Sequence, residues 1–92
     1  MNDAERSVLG SALIEPSCVP VVCGELVDED FTSTSTLEVF RAVRALWQTG
    51  AAVDLVTVTT ELERHNRLDA AGGVEFLSDL VTFVPTAANV RN

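Results

Sequence analysis

Between Leu37 and Trp47 the apolar residues Leu37, Phe40, Val43, Leu46 and Trp47 fall at i, i+3, i+6, i+9 and i+10, and Gly50 follows as a stop. That spacing lines one face of an α-helix, and such a face is stable only when other elements cover it. The same period recurs on both sides. Val8, Leu9, Ala12 and Leu13 mark a first helix, capped by Asn2 or Asp3, with Glu5 in its first turn and Pro16 as its stop. Gly10 inside it costs about 1 kcal/mol relative to Ala, a cost offset where a second helix crosses closely.

Ser17 is the expected cap of a short second helix that takes Pro20 in its first turn and carries Val19, Val22, Cys23 and Leu26 at helical spacing. The acidic turn Asp28-Glu29-Asp30 follows, then Phe31 as an apolar anchor and a Ser/Thr run, Thr32 to Thr36, that supplies a cap for the Leu37–Trp47 helix. Asp54 caps a fourth helix bearing Leu55, Val58 and Leu62. Its β-branched run, Val56 to Thr60, would suggest a strand in isolation, but Glu61-Leu62-Glu63-Arg64 continues the helical period unbroken. Asn66 ends that helix, and Leu68 tacks down the connection. Gly72-Gly73 introduces a fifth helix with Val74, Leu77, Leu80 and Val81 inward, and Pro85-Thr86 resembles the start of a sixth. The expectation is an all-α, compact orthogonal bundle of about five to six short helices. At 92 residues, 47% of them hydrophobic, there is material for a single domain, 1–92.

The charged residues narrow the function. All six positive residues are arginines, against 14 Asp and Glu, for a net charge of −8. Without lysine there is no P-loop and no Schiff-base nucleophile. A charge this negative also argues against direct nucleic-acid binding, which draws its affinity from clustered cations. Cys18 and Cys23, five apart on one expected helix, turn away from each other and read as free, buried thiols rather than a disulfide or a zinc site. No apolar run is long enough for a membrane span, and the start lacks a positively charged signal region, so a cytoplasmic location is expected.

Few residues suggest chemistry. His65, the only histidine, sits at a polar helix end, where an imidazolium is favoured electrostatically, and reads as a capping or solvated residue. No triad, metal cluster or paired acid and base stands out, so no catalytic, cofactor or metal residues are assigned. Gly72-Gly73 reads as a turn rather than an anion nest, and Trp47 and Phe40 as core. The acidic group Glu25, Asp28, Glu29 and Asp30 is a solvated turn or a docking patch for a basic partner. No positive residue lies between Arg6 and Arg41, so a negative field is expected at that end.

Taken in order, Ala4-Glu5-Arg6-Ser7-Val8-Leu9-Gly10, Glu29-Asp30-Phe31, Val39-Phe40-Arg41-Ala42-Val43, Val53-Asp54-Leu55-Val56-Thr57-Val58, Leu62-Glu63-Arg64, Gly72-Gly73-Val74-Glu75-Phe76-Leu77 and Pro85-Thr86-Ala87-Ala88-Asn89-Val90 resemble the amino-terminal domain of bacterial DnaB-type replicative DNA helicases. The resemblance runs from Asp3 to Arg91. It implies a non-catalytic helical head in the collar of a hexameric ring, supporting subunit pairing and coupling to the carboxy-terminal domain of primase. ATP and magnesium belong to the motor domain of that family, an ATP-dependent 5'-3' helicase within the replication machinery at the nucleoid. On this reading the partner-contact residues are Glu25, Asp28, Glu29 and Asp30, with Phe83 and Val84 at the exit of the fifth helix. Thr32, Thr34 and Thr36 depart from the family pattern, which has an aromatic after Asp-Phe and often Pro and His before the third helix. The family's domain also continues into a helical hairpin beyond the region matched. The alternative is a free-standing mimic of the helicase head, a phage or plasmid regulator that binds helicase or primase.

Overall fold

The computed structural model describes residues 3–83, with side chains from 5 to 82. Five α-helices lie among these residues: α1 (Asp3–Ile14), α2 (Val19–Glu25), α3 (Thr34–Gln48), α4 (Leu55–Arg64) and α5 (Gly73–Phe83). Two single 3₁₀ turns, Pro16–Cys18 and Asp28–Asp30, lead into α2 and toward α3. The described residues contain no strand. The expected sixth helix and the candidate cap Asn2 lie outside them.

Helix α3 is the axis of the bundle. Its face of Val39, Phe40, Ala42, Val43 and Leu46 is buried, and α1, α2 and α4 pack against it. Helix α5 closes the far side by lying along α1, where Leu77 and Leu80 join Leu9, Ala12 and Leu13 in one core with Val58 and Leu62 of α4. Gly10 of α1 is buried. Phe31 stacks on Phe40 with ring centroids 4.6 Å apart, which fastens the irregular segment between α2 and α3 to the core.

The caps explain where the helices begin. Ser33 accepts from the Thr36 amide at 3.2 Å and starts α3. Asp54 accepts from the Thr57 amide at 2.8 Å while Thr57 Oγ1 accepts from the Asp54 amide at 2.9 Å, a reciprocal box that starts α4. The β-branched run of α4 is helical in the fold, where Val58 and Leu62 pack into the core, and Thr59 Oγ1 donates to the Leu55 carbonyl at 2.7 Å. Asn66, at φ 57°, turns the chain out of α4. Gly72, at φ 98°, precedes α5, and a Cβ there would lie 2.7 Å from Cβ of Phe76, so the turn requires glycine.

Four expectations are corrected. Ser17 does not cap α2: it lies in the 3₁₀ turn, the cap position is Cys18 with no side-chain bond, and Ser17 Oγ instead donates to Glu15 at 3.0 Å. Trp47 is 41% exposed in the last turn of α3, outside the core that its neighbour Leu46 joins. Val74 is likewise about half exposed, since α5 first contacts the core through Phe76 and Leu77. Cys18 and Cys23 are free but only half-buried.

Candidate protein-interaction site

The turn Asp28–Asp30 is shaped by its own acids. Asp30 Oδ2 accepts from the Val27 amide at 2.8 Å, and the Phe31 amide closes onto the Asp28 carbonyl at 3.1 Å. Asp28 points back to α3, where Arg44 Nη1 lies 2.9 Å from Oδ1 and Arg41 Nε 3.5 Å from Oδ2. The guanidinium of Arg44 also sits 5.1 Å from the Phe40 ring centroid, so one arginine joins the acidic turn to the aromatic pair. Cys23 lies in the same neighbourhood: burial pushes its thiol pKa up, and the nearby Arg44 charge opposes that shift.

The uninterrupted negative field expected at this end is therefore corrected. Arg41 and Arg44, remote in sequence, fold onto Asp28 and offset it. Glu25 and Glu29 are exposed and remain the outward-facing charges, and Asp30 is exposed but spends one oxygen on its own turn. The fold brings Glu25, Asp28, Glu29 and Asp30 together on the α2–α3 connection. Val84 and the side chain of Phe83 lie outside the described residues.

Two further carboxylates escaped the sequence reading. Glu5, read from the sequence only as a first-turn acid, is 6% exposed and receives bonds from the segment that starts α3. Thr36 Oγ1 donates to its Oε1 at 2.7 Å, Thr32 Oγ1 to its Oε2 at 2.8 Å, and the Thr32 amide approaches both oxygens at 3.1 and 3.2 Å. The signal available was an excess of hydroxyls, because the run from Thr32 to Thr36 holds more than one cap requires. Glu38, also buried, pairs with Arg67 at 2.9 Å.

Glu38 and Arg67 lie at an open groove of about 490 Å³ between α3 and α4, together with Arg41, Glu61, Leu62 and His65. Glu61 is held by Arg64 at 3.1 Å and by His65 Nε2 at 2.9 Å. Each acid of the groove has a basic partner. His65 is the C-cap residue of α4 and points to solvent. Among the described residues no three His, Cys, Asp or Glu side chains converge as a metal site, and no helix is long and apolar enough to cross a membrane.

The described residues thus form an all-helical bundle with charged residues over its surface. The family model of the DnaB-like helicase N-terminal domain matches residues 1–92, and the chain belongs to that family. It is 39% identical over 97% of its length to the replicative DNA helicase DnaC of Bacillus subtilis and 41% identical over 97% to DnaB of Geobacillus stearothermophilus. It spans about 20% of the length of each of these relatives. The solved N-terminal domain of DnaB helicase from Mycobacterium tuberculosis superposes with a TM-score of 0.86 at 38% identity, covering 95% of this chain and 60% of that one.

Proposed function

We propose that this chain is the head of a replicative helicase's collar, an assembly and docking domain that supports subunit pairing in a hexameric ring and couples the ring to the carboxy-terminal domain of primase. The observation that carries this reading is the family match across all 92 residues, together with relatives that are replicative helicases. The head itself does no chemistry on this reading. ATP and magnesium act in a motor domain, which needs the P-loop lysine that this stretch of sequence lacks. The setting is the cytoplasmic replication machinery at the nucleoid.

The acidic connection between α2 and α3 is the proposed contact for primase, through Glu25 and Glu29 foremost and Asp28 and Asp30 beside them. Charges at the rim of an interface act through electrostatic complementarity, so the contact weakens as salt rises. Titration calorimetry of the chain with a primase carboxy-terminal domain tests this. Binding that falls about tenfold for the Glu25→Lys, Glu29→Lys double variant is the expected result. Affinity indifferent to both the double variant and added salt removes this contact from the proposal.

A further inference from the structure

A second surface lies between α1 and α2. Ser7, Val8 and Ser11 of α1, the turn residues Ser17 and Cys18, and Val21 and Val22 of α2 line an open groove of about 260 Å³ whose walls are predominantly apolar. Val21 is 55% exposed on its lip, and Ile14, three residues beyond Ser11 on α1, is also exposed. Exposed aliphatic side chains bordering a groove with small hydroxyl residues make a surface onto which another element can pack closely.

Among the described residues, two carboxylates border the groove. The Glu15 carboxylate lies 3.0 Å from Ser17 Oγ, a groove residue, and Glu25 stands one helical turn beyond Val21 on α2. Arg41, Arg44, Arg64 and Arg67 are committed to ion pairs elsewhere, and Arg6, next to Ser7, is engaged as well. A second copy docked groove to groove is a poor occupant, because it brings its own Glu15 and Glu25 against these acids. An extended peptide would need a sheet edge for its backbone or, as a polyproline helix, an aromatic-lined groove, whereas the described residues contain no strand and no aromatic lines this groove. An amphipathic helix satisfies its backbone internally and needs only an apolar groove with a rim of opposite charge.

We infer that the α1–α2 groove is a docking site for an amphipathic helix of a partner protein, its apolar face seated between Ser11 and Val21 and its flanking lysines or arginines facing Glu15 and Glu25. The groove is separate from the acidic turn Asp28–Asp30, and Glu25 alone belongs both to its rim and to the proposed contact with primase.

The probe is a synthetic leucine–lysine peptide with leucines at helical spacing. It is compared with a peptide of identical composition in which leucine and lysine alternate. Binding is followed by fluorescence of a labelled peptide and by the alkylation rate of Cys18, which lines the groove, with Cys23, which packs toward the core, as internal reference. The expected result is binding of the helical peptide at least about tenfold tighter than that of the alternating one. Alkylation of Cys18 slows on saturation while that of Cys23 does not, and Val21→Lys, an exposed substitution that leaves the core intact, weakens binding by a similar factor. Equal binding of the two peptides overturns the inference, since charge alone then accounts for it. Absence of binding, an unprotected Cys18 or an unaffected Val21→Lys variant overturns it too.

Discussion

Glu5 and Asp28 are both acids placed against α3, and the fold uses them in opposite ways. Glu5 is buried and takes its bonds from the Thr32 amide and the hydroxyls of Thr32 and Thr36, so it ties the first turn of α1 to the first turn of α3. Asp28 is part-exposed and is met by two arginines whose other faces reach water. A bond made in a dry, low-dielectric place gains more and leaves a costlier orphan when broken than the same bond at the surface. Glu5 is thus a strut of the scaffold, and Asp28 a surface charge whose loss the fold tolerates.

The sharpest way to break that comparison is Glu5→Ala, which removes the acceptor of the Thr32 amide and of the Thr32 and Thr36 hydroxyls. It should cost about 3 kcal/mol in urea unfolding. A loss no larger than that of Asp28→Asn would show the contrast to be false. Arg67→Ala comes next, because it leaves the buried Glu38 carboxylate without its cation. About 2 kcal/mol is expected, less than for a fully enclosed pair since Arg67 itself is half in water. Ser33→Ala removes the α3 cap and should lower stability by about 1 kcal/mol, read as a smaller shift of the same urea midpoint. Asp28→Asn closes the series at under about 1 kcal/mol, and 0.5 M salt should erase most of that difference.

The helices were legible because the 3.6-residue period and the capping residues agreed. Asp54 with Thr57, Asn66 and Gly72 each stand where a helix starts, ends or turns, and the hydroxyl run does contain the α3 cap. Trp47 and Val74 misled because periodicity assigns a side chain to a face without saying how far the neighbouring helix extends along it. The bonds of Glu5 were not legible for a different reason. Its partners lie 27 and 31 residues away, and a glutamate in a first helical turn already has a local explanation in the helix dipole. The acidic group was visible as composition, but its division into the neutralised Asp28 and the outward Glu25 and Glu29 was not. That division depends on where α3 places Arg41 and Arg44, which is a tertiary fact.

The central claim is that the head docks its partner through the α2–α3 connection while the Glu5 bonds serve only the scaffold. Amide chemical-shift mapping of the labelled chain during titration with a primase carboxy-terminal domain tests it most directly. The largest perturbations should fall on Glu25 to Asp30, with α4 and its groove little changed. Perturbations centred on α4 and the start of α5, with residues 25–30 silent, would contradict the claim.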